Sequence, residues 1–354
     1  MDNFNEYIRQ GEPSKAERAL TWQTAIGLQK VDNLEVSKYL VDAARKHIEG
    51  DIKLSEVRNL VHSYYEAKGA KANASREREA DDVSVRITEL LSENTFTFSP
   101  VGLIAIHRHL FSGLYEFAGK LRDYNITKKE WALDNDTVLY ASASDLSETL
   151  EYDFSKEKKF DYSQCSISEA IEHIAKFISD IWQIHPFGEG NTRTTAVFLI
   201  KYLRTFGFTL NNDLFKEHSW YFRNALVRAN YTNIQKGVSA TPRFLLMFFR
   251  NLILGENNPL KNREPHISFS AGNLQSAKTE IPKCQNGTLE CTLEEVALLN
   301  LIRETPAITQ AQLSEKLGIS PRTLKRMTVA LQEKGVLARK GGRRNGVWSV
   351  LAKK

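Results

Sequence analysis

Cysteine is scarce in this chain and occurs in an odd number. Only three of the 354 residues are cysteine, and their spacing is not that of a metal site: Cys165, Cys284 and Cys291. This excludes a disulfide-stabilised secreted scaffold and a zinc cluster as the basis of the fold. We therefore expect a protein of the reducing cytoplasm.

Long hydrophobic runs are missing as well. The first ten residues, MDNFNEYIRQ, lack the apolar region of a secretory signal, and the apolar run FLLMFFRNLIL is too short to cross a bilayer. The balance of 42% hydrophobic and 26% charged residues is that of a globular chain, and the length predicts two to three domains. We expect no membrane partner.

Positive charge is unevenly distributed. From Leu301 to Lys354 there are twelve lysines and arginines against three acidic residues, a net of +9, while the whole chain is +5. Residues 1–300 therefore hold 5 − 9 = −4. Such an asymmetry is typical of a nucleic-acid-binding module at the basic end.

The pattern of this basic end predicts a winged helix-turn-helix over residues 290–354. Thr309 and Ser320 are placed to cap two helices, Pro321 suits a first helical position, and VLARK and VWSVL flank a basic turn. Between Gly255 and Leu289 the chain is polar and rich in proline and glycine, which predicts a linker over 256–289. Protein contacts are the open alternative to DNA contacts. The DNA-binding candidates are Arg322, Lys325 and Arg326 on the second helix and Arg343 and Arg344 on the wing.

A polar loop, HPFGEGNTRTTAVF, lies between two apolar helices. Upstream, isoleucines spaced by four and three residues predict one buried helix face, and downstream the chain is apolar nearly all round. Pro186 discourages helix at His185, so the first helix should end there. The second should begin near Asn191 or Thr192.

The residues of this loop suit a magnesium nucleotide. A helix start attracts phosphate, and the guanidinium of Arg193 in its first turn matches phosphate oxygens. Glu189 could hold Mg²⁺ together with phosphate oxygens, and His185 could take a proton from a hydroxyl. The alternative is a structural connection in which His185 only caps a helix.

The loop resembles the signature of the Fic family, H-x-F-x-[D/E]-G-N-G-R-x-x-R, whose members mostly transfer AMP from ATP to a protein hydroxyl. The matching residues are His185, Phe187, Glu189, Gly190, Asn191 and Arg193. The resemblance implies ATP and Mg²⁺ as cofactors, with His185 as the catalytic base and Glu189 as the metal ligand. It also implies phosphate contacts by Arg193, which we place in the catalytic set. The implied nucleotide-binding set on the loop is Gly188, Gly190, Asn191, Thr192 and Arg193.

Two positions depart from the family pattern. Thr192 replaces the second glycine and Ala196 replaces the last arginine. A threonine can crowd or redirect the phosphates, and in the family the last arginine pairs with an inhibitory glutamate or holds the γ-phosphate. Relatives with altered loops transfer UMP, phosphocholine or phosphate, so another donor stays open as an alternative to AMP.

The resemblance spans about residues 85–255, and we assign the catalytic core to 71–255. It implies a mainly α, Fic-type helical core with a small β-hairpin flap. NITKKEW and TVLYA would form the flap, so that residues 124–141 dock a target protein carrying a Ser, Thr or Tyr hydroxyl. Leu226 and Asn230, on the helix WYFRNALVRAN, match positions that enclose the nucleotide base.

Residues 1–70 resemble the antitoxin-like helical segment that precedes some Fic domains and inserts an inhibitory glutamate through the motif [S/T]-x-x-x-E-[G/N]. No window here fits that motif. The nearest candidates for an inhibitory carboxylate are Asp32 and Glu35, whereas residues 75–79 match five positions but lie too near the core. We hypothesise weakened or altered inhibition, with a purely structural helical cap as the alternative.

The sequence therefore predicts a protein adenylyltransferase that modifies a target or itself and releases pyrophosphate. A nucleotide-sensing DNA-binding regulator with a degenerate Fic site is the rival hypothesis. The target protein, the DNA sequence and the existence of a homodimer stay open.

Overall fold

The computed structural model describes residues 4–10, 12–69, 76–208, 214–269, 291–341 and 346–351. The described chain is mainly helical. Its α-helices are α1 (Asn5–Gln10), α2 (Pro13–Gly27), α3 (Lys38–Glu49), α4 (Leu54–Lys68), α5 (Arg76–Ser92), α6 (Pro100–Phe111), α7 (Leu146–Lys158), α8 (Ile167–Ile184), α9 (Asn191–Thr205), α10 (Leu214–Ala229), α11 (Arg243–Leu254), α12 (Leu293–Glu304), α13 (Gln310–Leu317) and α14 (Pro321–Glu333). Two strands, β1 (Leu337–Lys340) and β2 (Val347–Val350), pair in antiparallel register.

The first four helices form a unit with its own hydrophobic core. Its fully buried side chains come from three helices: Trp22 of α2, Leu40 of α3, and Val57, Val61 and Tyr65 of α4. α2 also packs against α5 and α10, and a 3₁₀-helix (Leu28–Asp32) leads from its end toward the polar loop. The N-terminal unit therefore reaches the catalytic core directly.

α8 and α9 form the centre of the core and carry the loop between them. Ser166 caps α8 through the backbone N–H of Glu169, and the predicted isoleucine stripe of α8 is buried. α8 ends at Ile184, directly before His185 and Pro186, and α9 begins at Asn191. Both predicted boundaries are confirmed.

The flap departs from its predicted form. Residues 124–141 fold back as expected, and the Glu130 N–H donates to the Asp136 carbonyl at 2.9 Å. No β-ladder forms in this segment, and its tip is a 3₁₀-helix (Trp131–Leu133). The Glu130, Trp131 and Leu133 side chains instead pack against neighbouring helices, so local β-propensity loses to tertiary contacts.

The first half of the expected linker is not free. Leu260 and Ile267 are buried in the main core, and the ring of His266 lies 4.6 Å from that of Trp131. Residues 256–269 thus pack on the catalytic core. The rest of the predicted linker, 270–289, lies outside the described residues.

The C-terminal helices and strands form the predicted winged helix-turn-helix. Thr309 caps α13 and Ser320 caps α14, as expected. The domain packs on the core, where the Ile167 N–H donates to the Cys291 carbonyl at 2.9 Å and Asn300 Nδ2 donates to the Ile253 carbonyl at 3.0 Å. Within the described ranges, no helix has the length and apolar character needed to span a membrane.

Candidate active site

His185 occupies a strained, buried position at the end of α8. Its φ of 51° is left-handed, which is uncommon for a residue with a side chain. The ring is 3% exposed and lies 4.2 Å from the Tyr140 ring. Because the Trp182 carbonyl, 3.3 Å from Nδ1, can only accept, Nδ1 carries the proton. This leaves Nε2 as a proton acceptor, buried and without a partner among the described residues.

The surroundings of His185 keep its ring neutral. Burial first, and the positive charge of Lys128 second, lower the pKa of His185 well below the ordinary 6.5. At neutral pH the imidazole is therefore uncharged and able to accept a proton from a hydroxyl.

A set of side chains fixes the backbone of the loop. Asn191 closes it in both directions: its Oδ1 accepts from the Phe187 N–H at 3.0 Å, and its Nδ2 donates to the Phe187 carbonyl at 2.7 Å. The Phe187 ring stacks on His107, whose Nε2 lies 3.0 Å from the Glu189 carbonyl. Arg122 donates through Nε to the His185 carbonyl at 2.8 Å. The loop geometry is thus set before any ligand binds.

Other side chains approach both loop glycines closely, and at Gly190 the close approach requires glycine. Gly190, with φ 77°, begins α9, and a Cβ there would lie 2.4 Å from the Phe111 ring. A Cβ on Gly188 would lie 2.8 Å from the Tyr124 hydroxyl. Thr192 adds a further internal contact, because its hydroxyl accepts from Trp182 Nε1 at 3.0 Å. The hydroxyl of Thr192 therefore orients toward α8.

Glu189 presents its carboxylate at the edge of the loop. Its side chain is 55% exposed, and Lys128 Nζ of the flap lies 2.7 Å from it. The carboxylate thus already forms an ion pair with a cationic side chain. One carboxylate with substrate phosphates and waters is an ordinary donor set for Mg²⁺, so the residues fit the implied metal. No group of three or more potential metal ligands occurs in the described part of the chain.

Arg193, expected on phosphate, is engaged within the protein. Its guanidinium is 1% exposed and holds three partners. Nε lies 2.7 Å from Asp32 Oδ2 in an ion pair without hydrogen-bond alignment, Nη2 donates to Glu79 at 2.7 Å, and Nη1 donates to Gln29 at 3.2 Å. Burial opposes the charge, but Asp32 and then Glu79 outweigh it and raise the pKa of Arg193. The side chain is therefore neutralised by two carboxylates rather than available to phosphate.

Asp32 also reaches a second arginine. Its Oδ1 lies 3.2 Å from Arg223 Nη1 on α10, and Arg223 continues to Glu130 of the flap at 3.0 Å. Asp32 thus bridges α9 and α10 from the 3₁₀-helix between α2 and α3 of the N-terminal unit. Glu35, the other inhibitory candidate, is exposed and has no ion-pair partner in the described chain.

The two expected base-pocket residues have contrasting environments. Leu226 is fully buried in the main core. Asn230 is half-buried and donates through Nδ2 to the Ser179 hydroxyl at 2.8 Å and to the Leu226 carbonyl at 2.9 Å. Both lie on α10 and the turn that follows it, the helix that also carries Arg223.

Sequence reasoning missed four residues that shape this site. Glu79 is the last residue of the window 75–79, which matches five positions of the inhibitory motif but lies near the core. This nearness to the core brings the Glu79 carboxylate to Arg193. For the others, Gln29, Lys128 and Arg122, no motif gives a signal. They contact the loop only through the tertiary fold.

The basic face of α14 is open. Arg322, Lys325 and Arg326 are exposed and line a groove of about 560 Å³, and none pairs with a described carboxylate. Val329 supplies an exposed apolar contact in the same groove. The wing candidates Arg343 and Arg344 lie outside the described residues.

Comparisons with known proteins agree with both halves of this description. A model of the Fic/DOC family matches residues 97–203, and a model of winged helix-turn-helix DNA-binding domains matches residues 295–338. A probable protein adenylyltransferase, y4lH of Sinorhizobium fredii (strain NBRC 101917 / NGR234), is 31% identical over 130 residues. That alignment covers 35% of this chain and 62% of the relative, less than two thirds of its length.

The solved structures include a Fic family protein from Desulfovibrio desulfuricans G20. It is 14% identical, with a TM-score of 0.47, and the match covers 98% of this chain and 91% of that one. The match of residues 97–203 includes the loop, and the match of residues 295–338 includes α14. Residues 97–203 are thus similar to Fic/DOC family domains, and residues 295–338 are similar to winged helix-turn-helix DNA-binding domains.

Proposed function

We propose that this chain is a protein adenylyltransferase that moves AMP from Mg-ATP to a hydroxyl of a target protein or of itself. The observation that carries the proposal is the state of His185: a neutral, buried imidazole with its acceptor nitrogen Nε2 unpartnered, beside a helix start and a cation-binding carboxylate. A purely structural histidine would have both ring nitrogens satisfied.

In the proposed reaction, His185 Nε2 takes the proton of the incoming hydroxyl. The hydroxyl oxygen bonds to the α-phosphorus of ATP, the bond from that phosphorus to the bridging oxygen breaks, and pyrophosphate leaves with the electron pair. The Trp182 carbonyl holds the Nδ1 proton and so keeps the accepting tautomer in place.

The start of α9 would bind the triphosphate. The first N–H groups of a helix have no intrahelical partner and point outward with the positive end of the dipole. Gly190 sets this start, and Asn191 fixes the loop before it. Glu189 would hold Mg²⁺, which supplies charge neutralisation on the leaving pyrophosphate.

We further propose that Asp32 restrains this enzyme. A phosphate can reach Arg193 only if Asp32 and Glu79 give way, because the guanidinium is buried and both carboxylates contact it. Asp32 belongs to the 3₁₀-helix between α2 and α3 of the N-terminal unit, so movement of that unit would remove one of the two carboxylates from the arginine. Glu35 is too exposed to have this role.

A second proposed function is DNA binding by the winged helix. It is supported by the open basic face of α14 and by the net charge of +9 over residues 301–354. If the Fic domain only senses a nucleotide, this second function would be the main one, as in a regulator.

The test is incubation of the purified chain and of a His185→Ala form with Mg²⁺ and each of the four nucleoside triphosphates, followed by intact-mass spectrometry. We expect a gain of one AMP from ATP in the unmodified protein only. A gain from another triphosphate would replace AMP as the transferred group. An equal gain in both forms would exclude His185 as the base.

A further inference from the structure

A cavity of about 300 Å³ lies at the seam between the N-terminal unit and the catalytic core. One wall comes from α4, with Arg58 and His62, and the other from α5, with Arg78 and Arg86. Gly113, in the turn after α6, closes one end. Its volume is at the lower end of the range of small-molecule sites.

Positive charge dominates the lining of this seam cavity. Three arginines line it, and Asp82 is the one carboxylate among its described lining residues. Asp82 is used by Arg78, whose Nε lies 3.3 Å away, and Arg58 pairs with Glu89 outside the lining. The concave shape concentrates the field of the remaining charge.

Arg86 is the arginine of this lining that has no ion-pair partner among the described residues. It is half-buried, and Nη1 donates to the Leu110 carbonyl at 2.9 Å, but it makes no ion pair with a described carboxylate. Burial lowers the pKa of Arg86, Asp82 opposes that shift, and the charge of Arg58 adds to it. A half-buried guanidinium with a donor edge toward a cavity is stabilised by an anion there.

We propose that the seam cavity is a binding site for a small phosphate-bearing ligand, held by Arg58, Arg78 and Arg86. Guanidinium groups match phosphate through paired N–H donors, and three of them surround one volume here. The site is separate from the loop after α8, since none of the described residues that line it belongs to that loop or to the start of α9.

Occupancy would join the two units across the seam. A phosphate contacting Arg58 of α4 and Arg86 of α5 adds a bridge between helices that already pack together. Binding to the folded form alone stabilises that form by mass action. Phosphate should therefore raise the Tm of the full chain at constant ionic strength.

The test is isothermal titration calorimetry of the full chain with inorganic phosphate at fixed ionic strength. We expect saturable binding that weakens about tenfold in Arg86→Gln and in Arg58→Gln, because each change removes a charge-assisted contact. Arg45→Gln, an exposed arginine on α3 paired with Asp42, is the matched control and should leave the affinity unchanged.

Arg58 is half-exposed, so its variant should keep the fold even if the Arg86 variant does not; circular dichroism checks both. The proposal is overturned if the unmodified chain shows no saturable binding. It is also overturned if the affinity survives in Arg58→Gln and falls in Arg193→Gln, which would place phosphate at the active-site loop.

Discussion

The two regions that the sequence marks for phosphate differ in the state of their cations. Arg193 at the start of α9 is 1% exposed and neutralised by Asp32 and Glu79. On α14, Arg322 and Lys325 are exposed and make no ion pair with a described carboxylate. One region has to exchange internal partners before it takes a phosphate, and the other does not.

The difference teaches that a phosphate-binding motif and an available phosphate site are separate properties. Removing one partner from a buried ion pair costs about 3–5 kcal/mol, so the Arg193 contacts form a real barrier to ligand entry. Cations on the surface retain their hydration and exchange counterions freely. Under the proposed function, the site at the start of α9 would be arranged for control and the winged helix for direct contact with phosphate.

The largest expected effect separates the two regions by activity. His185→Ala should lower the rate of AMP transfer by about 10²–10⁴-fold, since it removes the general base. DNA affinity should not change, because the winged helix is a separate domain. Intact-mass time courses and fluorescence anisotropy measure the two quantities. Loss of both would indicate misfolding rather than loss of the base.

Acid should also destabilise the part of the chain before the winged helix, because the histidines with a lowered pKa lie there. Burial lowers the pKa of His47 and of His107 to about 4, while the unfolded value is 6.5. Between these values the unfolded state binds more protons, so stability is lost as pH falls below about 6.5. At about 1.4 kcal/mol per pH unit for each group, going to pH 5 costs about 2 kcal/mol per histidine.

Residues 291–354 contain no histidine. This loss of stability in acid should therefore be confined to the N-terminal unit and the catalytic core. Urea denaturation at pH 7 and pH 5 measures the loss. A His47→Gln variant should lose less stability than the unmodified chain between these two pH values. Equal losses in both proteins would mean that His47 is not responsible.

Loss of the Asp32 contact should make Arg193 more available to phosphate and so more like the exposed cations of α14. Asp32→Asn removes a negative charge that lies beside the Arg193 guanidinium. We therefore expect ATP to bind about tenfold more tightly, equivalent to about 1.4 kcal/mol. Calorimetric titration with Mg-ATP measures this. Glu35→Gln is the matched control on the same segment and should leave the affinity unchanged. A tighter affinity in the control would point to net charge instead of the specific pair.

The smallest effect is expected for DNA binding by the exposed basic face of α14. Arg322→Ala should weaken DNA binding by about 1 kcal/mol and reduce the slope of log affinity against log salt by about one. Lys316→Ala, exposed on α13 and turned toward α2, is the control. An unchanged salt slope in Arg322→Ala would mean that α14 does not contact the phosphates.

Much of the fold was predictable because its signals are local. Pro186 ends α8, Thr309 and Ser320 cap their helices, and the isoleucine spacing of α8 gives its buried face. Each of these depends on residues within one or two helical turns. The flap was predicted less well, because its Val and Thr residues favour strand locally whereas Glu130 is drawn to Arg223.

The arrangement of the site could be predicted only in part. The motif spacing places His185 and Glu189 in one loop and Arg193 in the first turn of the helix that follows, but it does not give the partners of these residues. The partners of Arg193 come from Gln29, at a separation of 164 residues, and from the N-terminal half of α5. Such pairings follow from how helices pack, and a single sequence carries no periodic or capping signal for them.

The central claim is that a competent transferase site is restrained by the contact between Asp32 and Arg193. The most direct measurement compares AMP incorporation from Mg-ATP, by intact mass, in the unmodified chain, in Asp32→Asn and in Asp32→Asn combined with His185→Ala. We predict faster incorporation in Asp32→Asn than in the unmodified chain and none in the double variant. Incorporation that is equal with and without Asp32, or that persists without His185, would contradict the claim.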